Sequence, residues 1–290
     1  MILENELLQL ALGMAQAVLL LLCAPLVTGI VKKVKAWMQN RIGSSIWQEY
    51  YDIRKWWGKP TMLTPYTSIT FRLAPCVYFL TTFAAACMLP GFLGGQAGFG
   101  DVFVFVYLLA LGRFFMAVSS MDAATAFREV YVAAFVEPVV MLAVLSNVLH
   151  TNSTSLAGMS LRTDEVNLTV AGVLTCIAFF LVLLAENSRI PVDNPDTHLE
   201  LTMIHECMTL EYSGRLLALI HWASQLKLLV FLVLFAMLYL PLDLPVVFKV
   251  LISAVAVGVV ETLNNKMRLF KVRVYLAAAG LMLLLAVVAQ

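Results

Sequence analysis

Charge is scarce in this chain. Only 13% of its 290 residues are Asp, Glu, Lys or Arg, about half the share usual in soluble domains. With 61% hydrophobic residues and a mean hydropathy of +0.89, a soluble fold would leave far more apolar surface than it could bury. Cysteine is sparse and scattered. Cys23, Cys76, Cys87, Cys176 and Cys207 form no Cys-x-x-Cys, so the chain is not expected to hold an iron–sulfur cluster or a zinc site of its own. They read as helix-packing residues, with Cys207 set apart by its polar surroundings. A Walker loop, a glycine-rich dinucleotide fingerprint and a Gly-x-Ser-x-Gly elbow are all missing, so no complete catalytic centre is in view. No basic surface suits nucleic acid. The first residues, MILENELLQL, carry two acids and no Lys or Arg; without a basic n-region the first span is expected to be retained.

What the chain does have is apolar runs of roughly 20 residues, the length that carries a helix across a hydrocarbon core of about 30 Å. They lack the alternation of an outer-membrane barrel, so the expected fold is all-α and polytopic. One integral membrane domain over 1–290 is expected, with about eight spans near 7–31, 70–91, 101–121, 129–149, 167–186, 222–241, 245–263 and 272–289. The connections after odd-numbered spans hold fifteen Lys and Arg against Arg162 alone on the other side. By the positive-inside rule these connections are cytoplasmic and both termini lie outside. The first, about 32–60, interleaves Trp37, Trp47, Trp56 and Trp57 with basic residues. That pattern suits an interfacial amphipathic helix, or a docking surface for a cytoplasmic partner. Residues 90–100, PGFLGGQAGFG, read as an external turn.

Charges inside spans cost about 2.5–3.5 kcal/mol each and must face the bundle interior or water. Arg113, Glu137 (followed by Pro138), Lys227 and Lys249 are such residues. The densest polarity is AENSRIPVDNPDTHLELTMIHECMTLEYSG, residues 185–214. It holds six of the 18 acids and two of the four histidines: Glu186, Asp193, Asp196, Glu200, Glu206 and Glu211, with His198 and His205. Pro191 and Pro195 interrupt it, and a helix is expected from Asn194 as N-cap with Pro195 at N1. Crowded carboxylates have spread, coupled pKa values and histidines titrate near neutrality, so this stretch is a candidate proton-exchanging loop. The seven-residue spacing of His198 and His205 is not the i, i+4 pattern of helical zinc ligands.

These residues also carry a resemblance. AENSRIPVDNP fits a pattern A-E-x-x-R-x-P-x-D-x-P, and Glu211 to Gly214 give E-Y-S-G. Gln39, Arg41 and Gly43 fit Q-x-R-x-G, with Ser44 where Pro is usual. Arg128, Glu129 and Glu137 supply a third match. The chain resembles, over essentially its whole length, the membrane-arm subunit shared by respiratory complex I (its subunit 1, or H) and the energy-converting membrane-bound [NiFe]-hydrogenases. The run PDTHLELTMIHE replaces the glutamate-rich segment of quinone-reducing relatives, so the hydrogenase branch of formate hydrogenlyase and hydrogenase-4 type fits better.

The resemblance implies a non-catalytic subunit of an oxidoreductase complex in a prokaryotic inner membrane. Its partners would be soluble [NiFe]-hydrogenase large and small subunits, an iron–sulfur subunit and antiporter-like membrane subunits. The [NiFe] centre and clusters would belong to those partners. Arg113, Glu137, Glu186, Asp193, Asp196, His198, Glu200, His205, Glu206, Glu211, Lys227 and Lys249 would couple redox chemistry to proton or sodium movement. Gln39, Arg41, Arg128, Glu129, Arg189 and Tyr212 would dock partners. The alternatives are a quinone-chamber subunit of a complex I-type enzyme and a passive membrane anchor.

Overall fold

A computed structural model describes residues 2–65, 67–90, 100–120, 123–161, 169–194, 203–240 and 244–289. Among them every regular element is an α-helix: α1 (Ile2–Met38), α2 (Gln48–Trp57), α3 (Ile69–Met88), α4 (Val102–Ser119), α5 (Ala123–Thr151), α6 (Leu156–Leu161), α7 (Val170–Glu186), α8 (His205–Thr209), α9 (Gly214–Tyr239), α10 (Val246–Leu263) and α11 (Leu269–Val288). Seven are long and apolar enough to cross a membrane: α1, α3, α4, α5, α9, α10 and α11. The expected fifth span is α7, an apolar helix of 17 residues; at 1.5 Å per residue it reaches about 26 Å, slightly under a typical hydrocarbon core. The long helices alternate in direction. Residues 100–102 at the start of α4 bond to 154–156 beyond α5 (Val102 N to Thr154 O, 3.0 Å; Leu156 N to Gly100 O, 2.7 Å). The ends of α1, α7 and α10 meet on the other, basic face through Lys35, Arg189 and Glu261.

Several helices begin where the sequence supplies a cap. Ser68 accepts from Phe71 N, Asp101 from Phe103 N and Thr169 from Gly172 N, each satisfying an amide that the first turn leaves free. Three spans run well past the limits that hydropathy suggests. α1 continues to 38 rather than 31. α5 starts at 123 rather than 129, and α9 at 214 rather than 222. A hydropathy boundary falls where charge appears, but Glu129 is paired with Arg113 inside the bundle, so the helix has no reason to stop there.

α9 is the axis of the fold. Leu226 to Ala236 are all buried, the pattern of a helix covered on every side, and it packs against α1, α2, α3, α7 and α10. α4 packs on α3 and α5, and α11 closes against α5 and α7. Pro25 within α1 cannot donate to Leu21 O, and the Trp222 indole of α9 takes that carbonyl at 3.0 Å. A backbone acceptor in an apolar span needs such a partner.

The basic stretch 32–60 is not one helix. Lys32, Lys33 and Lys35 belong to the last turns of α1, and α2 alone is the amphipathic segment. α2 turns Glu49 and Ile53 inward against α1 and α9, leaving Tyr51 and Trp57 exposed. The expected external turn at 90–100 lies outside the described residues for 91–99.

Candidate functional site

A buried four-charge network occupies the basic-face half of the bundle. Arg113 of α4 reaches Glu129 of α5 (Nε to Oε1, 3.3 Å) and Glu186 at the end of α7 (Nη1 to Oε2, 3.0 Å). Lys227 of α9 meets the other Glu186 oxygen at 2.7 Å. Arg113 Nη2 and Lys227 Nζ also donate to the Glu186 backbone carbonyl, at 2.9 and 3.0 Å. All four side chains are at least nine-tenths buried. Two positive and two negative charges balance, as burial of ions demands. The Arg113 Nη1–Glu186 Oε2 contact is close in distance, yet neither atom makes a well-directed hydrogen bond; it is a charge contact.

Above the network lies a cavity of about 500 Å³. Glu186, Arg113 and Lys227 line it beside His205, Glu206, Tyr212 and the first turns of α9. Its far wall is a second ionic group: Glu49 of α2 is held by Lys32 at 2.6 Å and accepts from Gln225 Nε2 at 2.7 Å. His221 stacks on Trp56 there, ring centroids 4.4 Å apart. A much smaller cavity of about 20 Å³ joins Glu186 to Glu137, between Val106, Leu109, Ala110, Val140 and Phe231. That volume suits about one water. Glu186 therefore faces both spaces.

His205 connects the polar loop to the network. Its Nδ1 stands 3.7 Å from Glu129 Oε1, an ionic approach longer than a hydrogen bond. Burial pushes the imidazole down, but the carboxylates of Glu129 and Glu206 outweigh burial and Lys227, and its pKa is raised. The folded protein thus favours the imidazolium. The stabilisation is complete below the ordinary histidine value of about 6.5 and is lost as pH rises through the higher folded value. Thermal unfolding of wild type and His205→Gln should accordingly diverge at pH below about 6.5 and converge above the folded value.

Of the other residues expected to couple ions, Glu211 accepts from Ser120 at 2.9 Å and Glu206 from Thr209 at 3.0 Å. Asp193 is buried and ties backbone to Lys266. Lys249 is not in this group. It sits in the first turn of α10, 12 positions before Glu261, hence about 18 Å along the axis from the basic face. Asp196, His198 and Glu200, with the helix expected from Asn194, fall on or run into 195–202, outside the described residues.

The residues expected to dock partners divide. Gln39 and Arg41 are exposed, and Arg128 is half-buried with its Nη1 on Met203 O at 3.2 Å. Glu129 is a network member. Arg189 is turned inward onto Glu261 at 3.3 Å, where Lys35 also approaches at 3.7 Å. Tyr212 stacks on Phe71 (4.1 Å between centroids) and shares a hydrogen bond with Ser119 at 2.8 Å. Burial pushes its phenol up to about 12, with the Ser119 bond pulling the other way and Glu211 adding to the rise. It is a packed, neutral side chain and not a surface one.

Sequence reasoning missed Glu49, His221, Gln225 and Glu261. One signal was available for two of them: His221, Ser224, Gln225 and Lys227 are a polar patch within an otherwise apolar helix. Among the described residues no cluster of three or more His, Cys, Asp or Glu is arranged to hold a metal ion. Cys207 lies 3.2 Å from the Thr125 hydroxyl and forms no disulfide.

Known proteins share this arrangement of helices. Residues 10–289 match the family described as NADH dehydrogenase. Hydrogenase-4 component C of Escherichia coli (strain K12) is 36% identical over 239 residues, 79% of this chain and 75% of that protein. Formate hydrogenlyase subunit 4 of the same organism is 30% identical over 239 residues, 78% and 76% of the two chains. In fold, the chain matches a subunit of the membrane-bound sulfane sulfur reductase, an archaeal respiratory membrane complex. The TM-score is 0.82 at 18% identity, covering 96% of this chain and 99% of that one. A bundle of apolar helices, with its charges gathered under the polar loop, thus belongs to the NADH dehydrogenase family, that of complex I subunit 1 (H).

Proposed function

We propose that this chain is the membrane-arm subunit of an energy-converting [NiFe]-hydrogenase complex of formate hydrogenlyase type. It anchors the soluble hydrogenase and iron–sulfur subunits on its basic face, which is the cytoplasmic one, and meets antiporter-like subunits within the membrane. The [NiFe] centre and clusters reside in those partners. This chain carries the first leg of proton or sodium coupling.

One observation carries this reading: Glu186 is shared between a polar cavity open toward the loop and a one-water space leading to Glu137. Its carboxylate is neutralised by Arg113 and Lys227, so a charge arriving at His205 or Glu206 alters the balance that Glu186 feels. His205 stands 3.7 Å from Glu129, which shares Arg113 with Glu186. At an effective dielectric of about 20 a unit charge at such a distance is worth about 4 kcal/mol to its neighbour, and Arg113 passes part of that change on to Glu186. Glu137 is the next carboxylate inward, on α5 directly before Pro138, whose missing N–H leaves one helical carbonyl without its donor. In the purified whole complex in proteoliposomes, Glu137→Gln should retain assembly and hydrogen turnover but lose the associated ion movement. Undiminished ion movement would sink the assignment.

A quinone-chamber reading draws support from the cavity volume, which falls within the about 300–1,000 Å³ of small-molecule sites. The lining opposes it: Lys32, Glu49, Asp52, Arg113, Glu186, Arg189, Glu206 and Lys227 all face the space, a wall suited to water rather than to an isoprenoid tail. Quinone reduction by the purified complex would reinstate that reading.

A further inference from the structure

Four donors converge on one buried carboxylate in the polar loop. Asp193, 1% exposed, accepts from its neighbour Asn194 N at 2.9 Å and from Lys266 Nζ at 2.6 Å on Oδ1. On Oδ2 it accepts from Ile204 N and His205 N, both at 3.0 Å. A second tie lies alongside: Met267 N donates to Pro191 O at 2.8 Å. The turn after α7, the first residues of α8 and the α10–α11 connection are therefore fastened at one point. Charge-assisted bonds of this kind are among the strongest a loop can make.

What is fastened there is His205. Asp193 holds its backbone, and its ring projects toward Glu129. The charged and titratable groups around that ring come from every element packed on it: Glu129 of α5 with Arg113 of α4 behind, Lys227 and His221 of α9, and Glu206 of its own helix. A shift of α8 by one or two ångströms would remove His205 from Glu129 without touching the Arg113–Glu186–Lys227 contacts.

We propose that Asp193 is a positioning residue: together with Lys266 it sets His205 against Glu129, and so decides whether charge at the polar loop reaches the buried network. Asp193 then acts on coupling through the place of another residue, with both of its own oxygens already filled by donors. The functional half rests on the ion-coupling reading above; the positional half does not.

The test uses the purified full complex. Diethyl pyrocarbonate modification is followed for His205 by peptide mass spectrometry, alongside the pH profile of hydrogen-linked ion movement in proteoliposomes. Asp193→Asn sets an amide NH₂ against the donors, and Lys266→Met removes the ammonium. Both should speed His205 modification on the order of tenfold, the cost of a lost charged hydrogen bond, while Lys266→Arg should restore the wild-type rate. The pH profile of Asp193→Asn should move to coincide with that of His205→Gln. Unchanged His205 modification in both Asp193→Asn and Lys266→Met overturns the proposal, whatever Glu137→Gln does. Faster modification with a wild-type pH profile overturns its link to coupling. Ion movement that survives Glu137→Gln overturns the coupling reading alone, since the modification rates report position independently. The variants at Lys266, a partly exposed side chain, keep the test decisive if Asp193→Asn does not assemble.

Discussion

Arg113→Ala should destabilise the folded bundle by about 3–5 kcal/mol, the usual cost of stranding a buried charge by removing its partner. The guanidinium touches Glu129 through Nε and Glu186 through Nη1, and donates to the Glu186 carbonyl through Nη2. Without it, two buried carboxylates are left with Lys227 and the more distant His205. Arg113→Lys should recover only part of the loss, because a single compact nitrogen cannot span the separated acceptors that the guanidinium reaches through three nitrogens. The double variant Arg113→Ala/Glu129→Gln should be more stable than Arg113→Ala, since it removes one charge of each sign at the same loss of packing and leaves Glu186 with Lys227. Thermal unfolding of the purified complex, followed by loss of this subunit, measures all three. Equal stabilities for Arg113→Ala and wild type would show the pairing to be energetically idle. Equal stabilities for single and double variants would show that the cost is packing and not charge.

Gly214→Ala is the second large effect, and its cause is steric. Gly214 adopts φ +56° at the first residue of α9, a region that costs a residue with Cβ about 1–2 kcal/mol. A Cβ there would also meet Pro60 O at 2.5 Å and Lys59 O at 2.8 Å; both are backbone atoms and cannot swing away. The overpacking adds about 1–3 kcal/mol. Neighbouring Ser213 binds Met62 through its hydroxyl in both directions, accepting from N at 2.8 Å and donating to O at 3.1 Å. The start of α9 and the α2–α3 connection are thus seated on each other, and α2 carries Glu49 to the cavity wall. Gly214→Ala should lower the unfolding temperature and open the 58–62 connection to protease, whereas Ser213→Ala should do so only mildly. A protease pattern like wild type in Gly214→Ala would refute the seating.

E-Y-S-G stands out in the sequence as a string, and docking is the natural reading for its Tyr212. In the folded chain every position of the string works internally. Glu211 accepts from Ser120, Tyr212 packs on Phe71, Ser213 binds Met62 and Gly214 makes the close turn. Arg189 likewise reads as a surface residue but is an inward partner of Glu261. Arg113, Glu186 and Lys227 are readable, because a charge within an apolar run is costly and must have a purpose. Glu129 is visible as part of a motif but not as a network member. Nothing in its local sequence points to Arg113, 16 positions away on another helix. Glu49 is hidden among the Lys, Arg and aromatic residues of a basic connection, where one acid looks like surface.

Sequence alone determined the class of fold, the order and alternation of its spans, the family and the stretch where polarity gathers. These depend on local composition: a run of about 20 apolar residues has one stable place, and backbone hydrogen bonding in lipid permits it one form. Tertiary structure alone decided which charges neutralise one another, and that Glu186 looks into two cavities while Asp193 holds His205 in place. Hydropathy says that a residue sits in a span but not which neighbour its side chain meets. The pairs that matter here, Arg113 with Glu186 and Asp193 with Lys266, are each 73 positions apart, and only the packing of α4, α7, α9 and the α10–α11 connection brings them within bonding distance.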